Sequence, residues 1–150
     1  VMTYIVIIQA LFFYGYCFYV YKNHGVLRSI SDSWYHVKHK WAFDLFAAGV
    51  GLPMWFYGIE GAAGLLFVVS GLCMFTVTLA SMFKQNKVVN RLHYVGTVGA
   101  IVFAVLGIYA MQGTWEPIAF ILIGLSLIAF PNHIWWIEVW IFTIIIAYLL

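Results

Sequence analysis

Charged residues in this chain fall in short clusters separated by long apolar runs, and this spacing constrains the fold more than any other feature. The apolar runs cover residues 3–21, 41–58, 62–83, 92–111, 116–131 and 133–150. A helix needs about 20 mainly apolar residues to cross about 30 Å of hydrocarbon. The pattern therefore predicts an all-α integral membrane bundle of six transmembrane helices, which forms a single transmembrane domain over residues 1–150.

The composition excludes other classes of protein. Hydrophobic residues make up 65% of the chain and charged residues only 8%, whereas soluble domains average about 25% charged residues. A transmembrane barrel would show alternating segments of about 10 residues, but the apolar runs here are continuous. The net charge of +2 is too small to indicate a nucleic-acid partner. The sequence also lacks the HExxH, GxSxG and dinucleotide-binding patterns.

The distribution of basic residues predicts the orientation in the membrane. All seven lie around the first or the third connection: Lys22, Arg28, Lys38 and Lys40, then Lys84, Lys87 and Arg91. Because cytoplasmic connections carry an excess of lysine and arginine, both connections are predicted to be cytoplasmic. With six crossings this places both termini outside, and we expect the protein in the inner or plasma membrane.

The same topology gathers the ionisable side chains into one layer. All five histidines lie on the predicted cytoplasmic side: His24, His36, His39, His93 and His133. Asp44 and Glu138 lie just inside the second and sixth runs. An ionisable group within a span is unfavourable by at least ~2.5 kcal/mol near the centre and normally faces the bundle interior. The sequence therefore predicts a one-sided, cytoplasm-facing polar site.

Two helical stripes suggest how this layer is assembled. A helix beginning near Ser33 would carry His36, Lys40, Asp44, Ala47 and Gly51 on one face. The fourth apolar helix would carry His93, Gly96, Ala100, Ala104 and Gly107 on one face. Small residues let membrane helices approach closely. We therefore expect these faces to pack together and to bring Asp44 near His93 or His36.

A metal site is the sharpest chemical interpretation of this layer. Three histidines and a water satisfy a catalytic zinc, which generates hydroxide near neutral pH. The predicted ligands are His36, His93 and His133. Asp44 or Glu138 would act as base or would orient a ligand, with the Ser33 hydroxyl nearby. A polar lipid headgroup is the alternative occupant, and interfacial salt bridges would also explain Asp44 and Glu138.

The arrangement of Ser33, His36, Asp44, His93 and His133 resembles the CREST superfamily of membrane hydrolases, which includes alkaline ceramidases. The resemblance implies a zinc near the cytoplasmic side and hydrolysis of a lipid. The segments 29–35, 93–96 and 135–138 also resemble small uncharacterised polytopic proteins of bacteria and their phages. This second resemblance implies no activity.

Two other function classes remain open. Asp44, Glu138 and the histidines would also serve a proton or cation relay in a transporter or channel. Alternatively, the polar layer packs the helices of an accessory subunit, which would contact a second copy or a partner membrane protein. Basic residues at the predicted cytoplasmic surface attract anionic headgroups at about 1 kcal/mol per charge. They are Lys38, Lys40, Lys84, Lys87 and Arg91. Membrane lipid is therefore the partner common to these interpretations.

The predicted topology can be tested by cysteine labelling. Single cysteines at positions 60, 114 and 86 replace Glu60, Thr114 and Asn86 in a background without Cys17 and Cys73. We expect a membrane-impermeant maleimide to label positions 60 and 114 in intact cells, because both connections lie outside. Position 86 should react only after permeabilisation. Labelling of position 86 in intact cells would contradict the topology.

Overall fold

The computed structural model describes residues 2–60, 63–79 and 86–150, and within them the chain is helical without any strand. This confirms the predicted all-α class. The helices of this part of the chain are α1 (Met2–His24), α2 (Ser33–His36), α3 (Trp41–Glu60), α4 (Gly64–Phe75), α5 (Lys87–Gln112), α6 (Glu116–Gly124) and α7 (His133–Leu149). Two 3-10 turns, Thr76–Leu79 and Leu125–Ala129, continue α4 and α6.

Within the described residues, three helices are long and apolar enough to cross a membrane. They cover Thr3–His24, Trp41–Ile59 and Lys87–Gln112. The helices α4 and α7, with 12 and 17 residues, are apolar but shorter. The structure is thus compatible with an integral membrane protein. Residues 80–83 of the predicted third run and the basic residue Lys84 lie outside the described residues.

Local sequence signals set the ends of α5. The Asn86 side chain accepts hydrogen bonds from the backbone N–H groups of Val88 and Val89, so it caps the first turn. At the other end, Gly113 has a φ of +67° and its N–H donates to the Tyr109 carbonyl at 2.7 Å. A residue without a Cβ is favoured in this left-handed conformation. Helix α5 therefore begins five residues before the predicted apolar run 92–111 and ends one residue after it.

The predicted second helix is interrupted near its start. The helix that begins at Ser33 ends after one turn at His36, and Val37 is extended. A new helix, α3, then begins at Trp41. The predicted continuous stripe from His36 through Asp44 is therefore wrong, because the non-helical residues 37–40 interrupt the helix between these two side chains.

Helix α4 packs between α3 and α5. Gly51 of α3 lies against Gly71 and Met74 of α4. On the other side of α4, the Ser70 hydroxyl donates to the Ala100 carbonyl of α5 at 2.6 Å. The two predicted small-residue faces therefore each pack against α4, and the expected direct packing of one face on the other is wrong.

Aromatic side chains join α1, α3 and α7 in the core of the bundle. Phe13 stacks on Phe142 with 4.8 Å between ring centroids. Tyr16 stacks on Phe46 at 4.6 Å. All four rings are buried. Such aromatic pairs contribute about 0.5–1.5 kcal/mol each beyond area burial, and they hold α1 and α7 in place around the polar residues described below.

The close approach of α3 and α4 can be tested with Gly71→Ala. A Cβ at Gly71 would lie 2.7 Å from the Gly51 carbonyl oxygen and 3.0 Å from the Trp55 backbone nitrogen. We expect this variant to lower the free energy of unfolding by about 1–3 kcal/mol, because backbone must shift to admit the methyl group. The measurement is denaturation in mixed micelles followed by circular dichroism.

Gly15→Ala is the matched control. It adds the same methyl group at a helical position where a Cβ meets no atom within 4 Å. We expect its free energy of unfolding to be unchanged or higher by up to about 1 kcal/mol. Equal effects of the two substitutions would show that the contact between α3 and α4 is not tight.

Candidate functional site

A small polar cavity lies where the connection between α1 and α3 meets the first turns of α5 and α7. Its volume is about 60 Å³, which is space for about two water molecules. The polar cavity is lined by Arg28, Ser29, Ser31, Asp32, His93, Tyr94, Thr97, Ile134 and Glu138. Two carboxylates, an imidazole, a guanidinium and four hydroxyls therefore converge on one small space.

Glu138 ties the connection to the bundle. It lies in the second turn of α7, and its Oε2 accepts a hydrogen bond from the Ile30 backbone N–H at 2.6 Å. Ile30 is itself buried and irregular in backbone structure. A buried backbone N–H without an acceptor would be unfavourable. The carboxylate therefore has a structural partner through one oxygen while it also lines the polar cavity.

His93 approaches the cavity from α5. The residue is 4% exposed, and its imidazole lies beside the backbone of Thr76 and Val77 in the 3-10 turn that follows α4. The small residue Gly96, one turn later, allows α5 to approach this 3-10 turn closely. The packing of α5 on the end of α4 thus places the imidazole inside the bundle, on the wall opposite the connection.

Asp32 is the acidic group of the site that sequence reasoning did not assign. It is 8% exposed and lines the polar cavity. One of its oxygens, Oδ2, lies 3.4 Å from Nε2 of His36, which is itself exposed. Asp32 precedes a helix start, so its sequence context indicates a helix cap and contains no signal for a cavity. Arg28 and the hydroxyls of Ser31 and Thr97 also line the cavity, and the sequence did not predict them there.

Ser33 lies in the core next to α1. It is fully buried, and its hydroxyl is 2.7 Å from the Tyr16 hydroxyl. The same Ser33 hydroxyl donates to the Ile30 carbonyl. Its hydrogen bonds fasten the connection to α1, and it is not among the residues that line the polar cavity.

Asp44 lies away from the polar cavity. It is exposed on α3, and α4 packs between α3 and the helix that carries His93. The expectation that Asp44 faces the bundle interior beside His93 is therefore wrong. The first turn of α3 buries Phe43, which is 0% exposed, and leaves the adjacent Asp44 exposed.

The predicted zinc ligands are dispersed. His93 lines the polar cavity, His36 is exposed beside Asp32, and His133 is partly exposed at the first position of α7. Among the residues that the structure describes, no group of three or more His, Cys, Asp or Glu side chains could hold a metal ion. A zinc centre on these three histidines therefore has no support in the geometry.

Comparison with known proteins finds no match to this chain among protein-family models, curated proteins or solved structures. The function must therefore be inferred from the site itself.

The role of Glu138 in holding the connection can be tested with two substitutions. Glu138→Gln keeps an oxygen that can accept from the Ile30 N–H, whereas Glu138→Leu removes it. We expect Glu138→Leu to lower the free energy of unfolding by about 1–3 kcal/mol, because a buried donor loses its acceptor. Glu138→Gln should lie within about 1 kcal/mol of the parent, and denaturation in mixed micelles measures both.

Glu116→Leu controls for the loss of an acidic side chain. Glu116 is exposed at the start of α6, where it accepts a hydrogen bond from the Tyr148 hydroxyl at 2.9 Å. We expect little change in stability from this exposed contact. A Glu138→Leu variant as stable as Glu116→Leu would show that the connection does not depend on Glu138.

Proposed function

We propose that this protein binds the polar headgroup of a membrane lipid, and that the polar cavity is its one-sided binding site. The observation that carries the proposal is the convergence of Glu138, Asp32, His93 and Arg28 on one cavity. Ionisable groups within membrane helices usually mark a functional site. Here they lie at one end of the bundle, where a headgroup would meet them.

The chemistry of the lining favours an amino-phospholipid. The carboxylates of Glu138 and Asp32 are suitable acceptors for an ammonium group. Arg28 is exposed at the rim, where its guanidinium is suited to a phosphate. The cavity of about 60 Å³ fits a primary ammonium but is too small for a complete headgroup. The proposed ligand is therefore a phosphatidylethanolamine, with its amine inside and its phosphate at the rim.

Lipid binding is preferred over metal-dependent lipid hydrolysis. A zinc hydrolase needs three protein ligands around one ion, and the described residues do not provide such a group. Ser33, the nearest predicted hydroxyl, is enclosed beside Tyr16. Binding requires only the complementary charges and hydrogen-bonding groups that line the cavity.

Transport is a second function that one observation favours. Smaller voids continue from the polar cavity toward the centre of the bundle. A void of about 20 Å³ shares Ser31, Thr97 and Glu138 with the polar cavity, and it shares Met74 and Phe142 with a deeper void of about 10 Å³. The deeper void is lined by Gln9 and Ser70. It is at the lower limit of size for one water molecule, so transport ranks second.

The proposal includes the predicted membrane topology. Six crossings in the inner or plasma membrane with both termini outside would place the polar cavity at the cytoplasmic leaflet. All six apolar runs contain helical segments, and this supports the six-crossing arrangement. The 3-10 turns lengthen the short segments, so that helical structure extends from Gly64 to Leu79 and from Glu116 to Ala129.

The proposed ligand can be tested by titrating the purified protein with short-chain lipids. We expect phosphatidylethanolamine to raise the melting temperature and phosphatidylcholine to leave it unchanged, because a trimethylated amine is too bulky for the cavity. Glu138→Gln keeps the Ile30 contact but removes the charge. We expect it to weaken binding about 10- to 100-fold, the range for a charge-assisted hydrogen bond worth about 1.5–3 kcal/mol.

Glu116→Gln is the matched control, since it neutralises an exposed glutamate of α6 outside the cavity lining. It should bind phosphatidylethanolamine as the parent does. Equal affinity for both lipids, or equal affinity of the two glutamine variants, would contradict the proposal. A proton flux into vesicles that Glu138→Gln abolishes without any effect on lipid binding would favour transport.

A further inference from the structure

A second candidate binding region, distinct from the polar cavity, lies between α1 and α3. Two depressions of about 320 and 300 Å³ adjoin there, and both are lined by Phe12 and Leu45. The two depressions follow one another along the helix pair, and we call them together the α1/α3 groove. Its combined volume is far larger than that of the polar cavity.

The groove is apolar for most of its length. On α1 it runs from Ile5 to Tyr19, and on α3 it runs from Phe56 back to Trp41. Ile5 and Tyr19 are fourteen residues apart, which is about 21 Å at about 1.5 Å per residue. One leaflet of hydrocarbon is about 15 Å thick. The groove is therefore long enough to hold a complete acyl chain.

Small residues give the groove its depth. Gly15 lies in its floor, and a Cβ added there would meet no atom within 4 Å. Ala42 and Ala48 line it from α3. The space beside Gly15 is thus open to a ligand and is not filled by a neighbouring side chain.

Polar and basic residues lie at one end of the groove only. Tyr19 and His39 line its mouth. Lys22 follows Tyr19 by three residues on α1, and Lys38 directly precedes His39; both lysines are exposed. Asp44 is an exposed acid on the flank of α3. The two lysines outnumber it, so the mouth is complementary to an anion.

We propose that the α1/α3 groove binds one acyl chain of an acidic phospholipid, whose phosphate lies beside Lys22, Lys38 and His39. A linear apolar chain matches the length and lining of the groove, and the anionic headgroup matches the charge at its mouth. This site is separate from the polar cavity and takes a different class of lipid, so it extends beyond the headgroup-binding function proposed above.

The test uses the intact protein in nanodiscs of equal phosphatidylglycerol and phosphatidylcholine, followed by native mass spectrometry. We expect the parent protein to retain one phosphatidylglycerol. Gly15→Leu should reduce that retention at least tenfold, because leucine fills the open space in the groove. Ala147→Leu, which adds a leucine at an exposed position on α7, is the matched control and should retain the lipid.

The charge at the mouth is tested separately with Lys22→Gln and Lys38→Gln. Each lysine contributes about fivefold to anionic-lipid binding at about 1 kcal/mol per charge. The double variant should therefore lose the preference for phosphatidylglycerol over phosphatidylcholine. Because both side chains are exposed, this variant decides the question even if Gly15→Leu fails to fold.

Three results would overturn this inference: equal retention of the two lipids by the parent, unchanged retention by a folded Gly15→Leu variant, or a second copy of the chain in place of the lipid. Glu138→Gln separates the two proposals, since it should weaken binding of phosphatidylethanolamine at the polar cavity about 10- to 100-fold and leave retention of phosphatidylglycerol unchanged.

Discussion

The irregular connection between α1 and α3 is held inside the bundle by hydrogen-bonding groups that the protein itself supplies. Backbone that leaves helical structure near the hydrocarbon layer must be satisfied internally, because lipid offers no hydrogen bonds. The Glu138 carboxylate accepts the Ile30 N–H at 2.6 Å. The amide of Asn132 donates to the Val26 carbonyl at 3.2 Å. These contacts from the start of α7 bring residues 26–32 over the bundle end and create one wall of the polar cavity.

Helix α4 determines which polar residues can meet. It separates α3 from α5 and contacts both through small residues. His93 on α5 is therefore directed toward the end of α4 and the connection, whereas Asp44 on α3 is left at the periphery. The composition of the polar cavity follows from this packing order: His93, Tyr94 and Thr97 come from α5, Ile134 and Glu138 come from α7, and the remaining four residues come from the connection.

The hydrophobic pattern was sufficient to predict the helices. Long apolar runs without charges permit little else in a membrane, and each of the six runs contains helix. Glu138 and His93 were predicted to share a site because both lie on the predicted cytoplasmic side of the bundle, and they line one cavity. Periodicity identified the small-residue faces of Gly51 and Gly96, but it carries no information on which helix each face contacts.

Most of the residues that sequence reasoning missed lie in the connection between α1 and α3, whereas Thr97 lies on α5. Asp32 and Arg28 reach the cavity because the connection folds inward, and that path depends on long-range contacts such as that of Glu138. The break in the helix after His36 also depends on a side-chain contact. The Lys40 amine donates to the Trp34 carbonyl and lies 4.5 Å from the centre of the Trp34 ring. This contact closes a turn that no helical periodicity would predict.

Tyr16 connects the two proposed binding sites physically. Its ring lines the α1/α3 groove, and its hydroxyl pairs with the Ser33 hydroxyl at 2.7 Å. Ser33 directly follows Asp32, which lines the polar cavity. Any displacement of the Tyr16 ring by a chain in the groove would therefore be transmitted through this buried hydrogen bond to the connection that carries Asp32. The two proposed lipid sites differ in lining and in charge, and the Tyr16–Ser33 hydrogen bond lies between them.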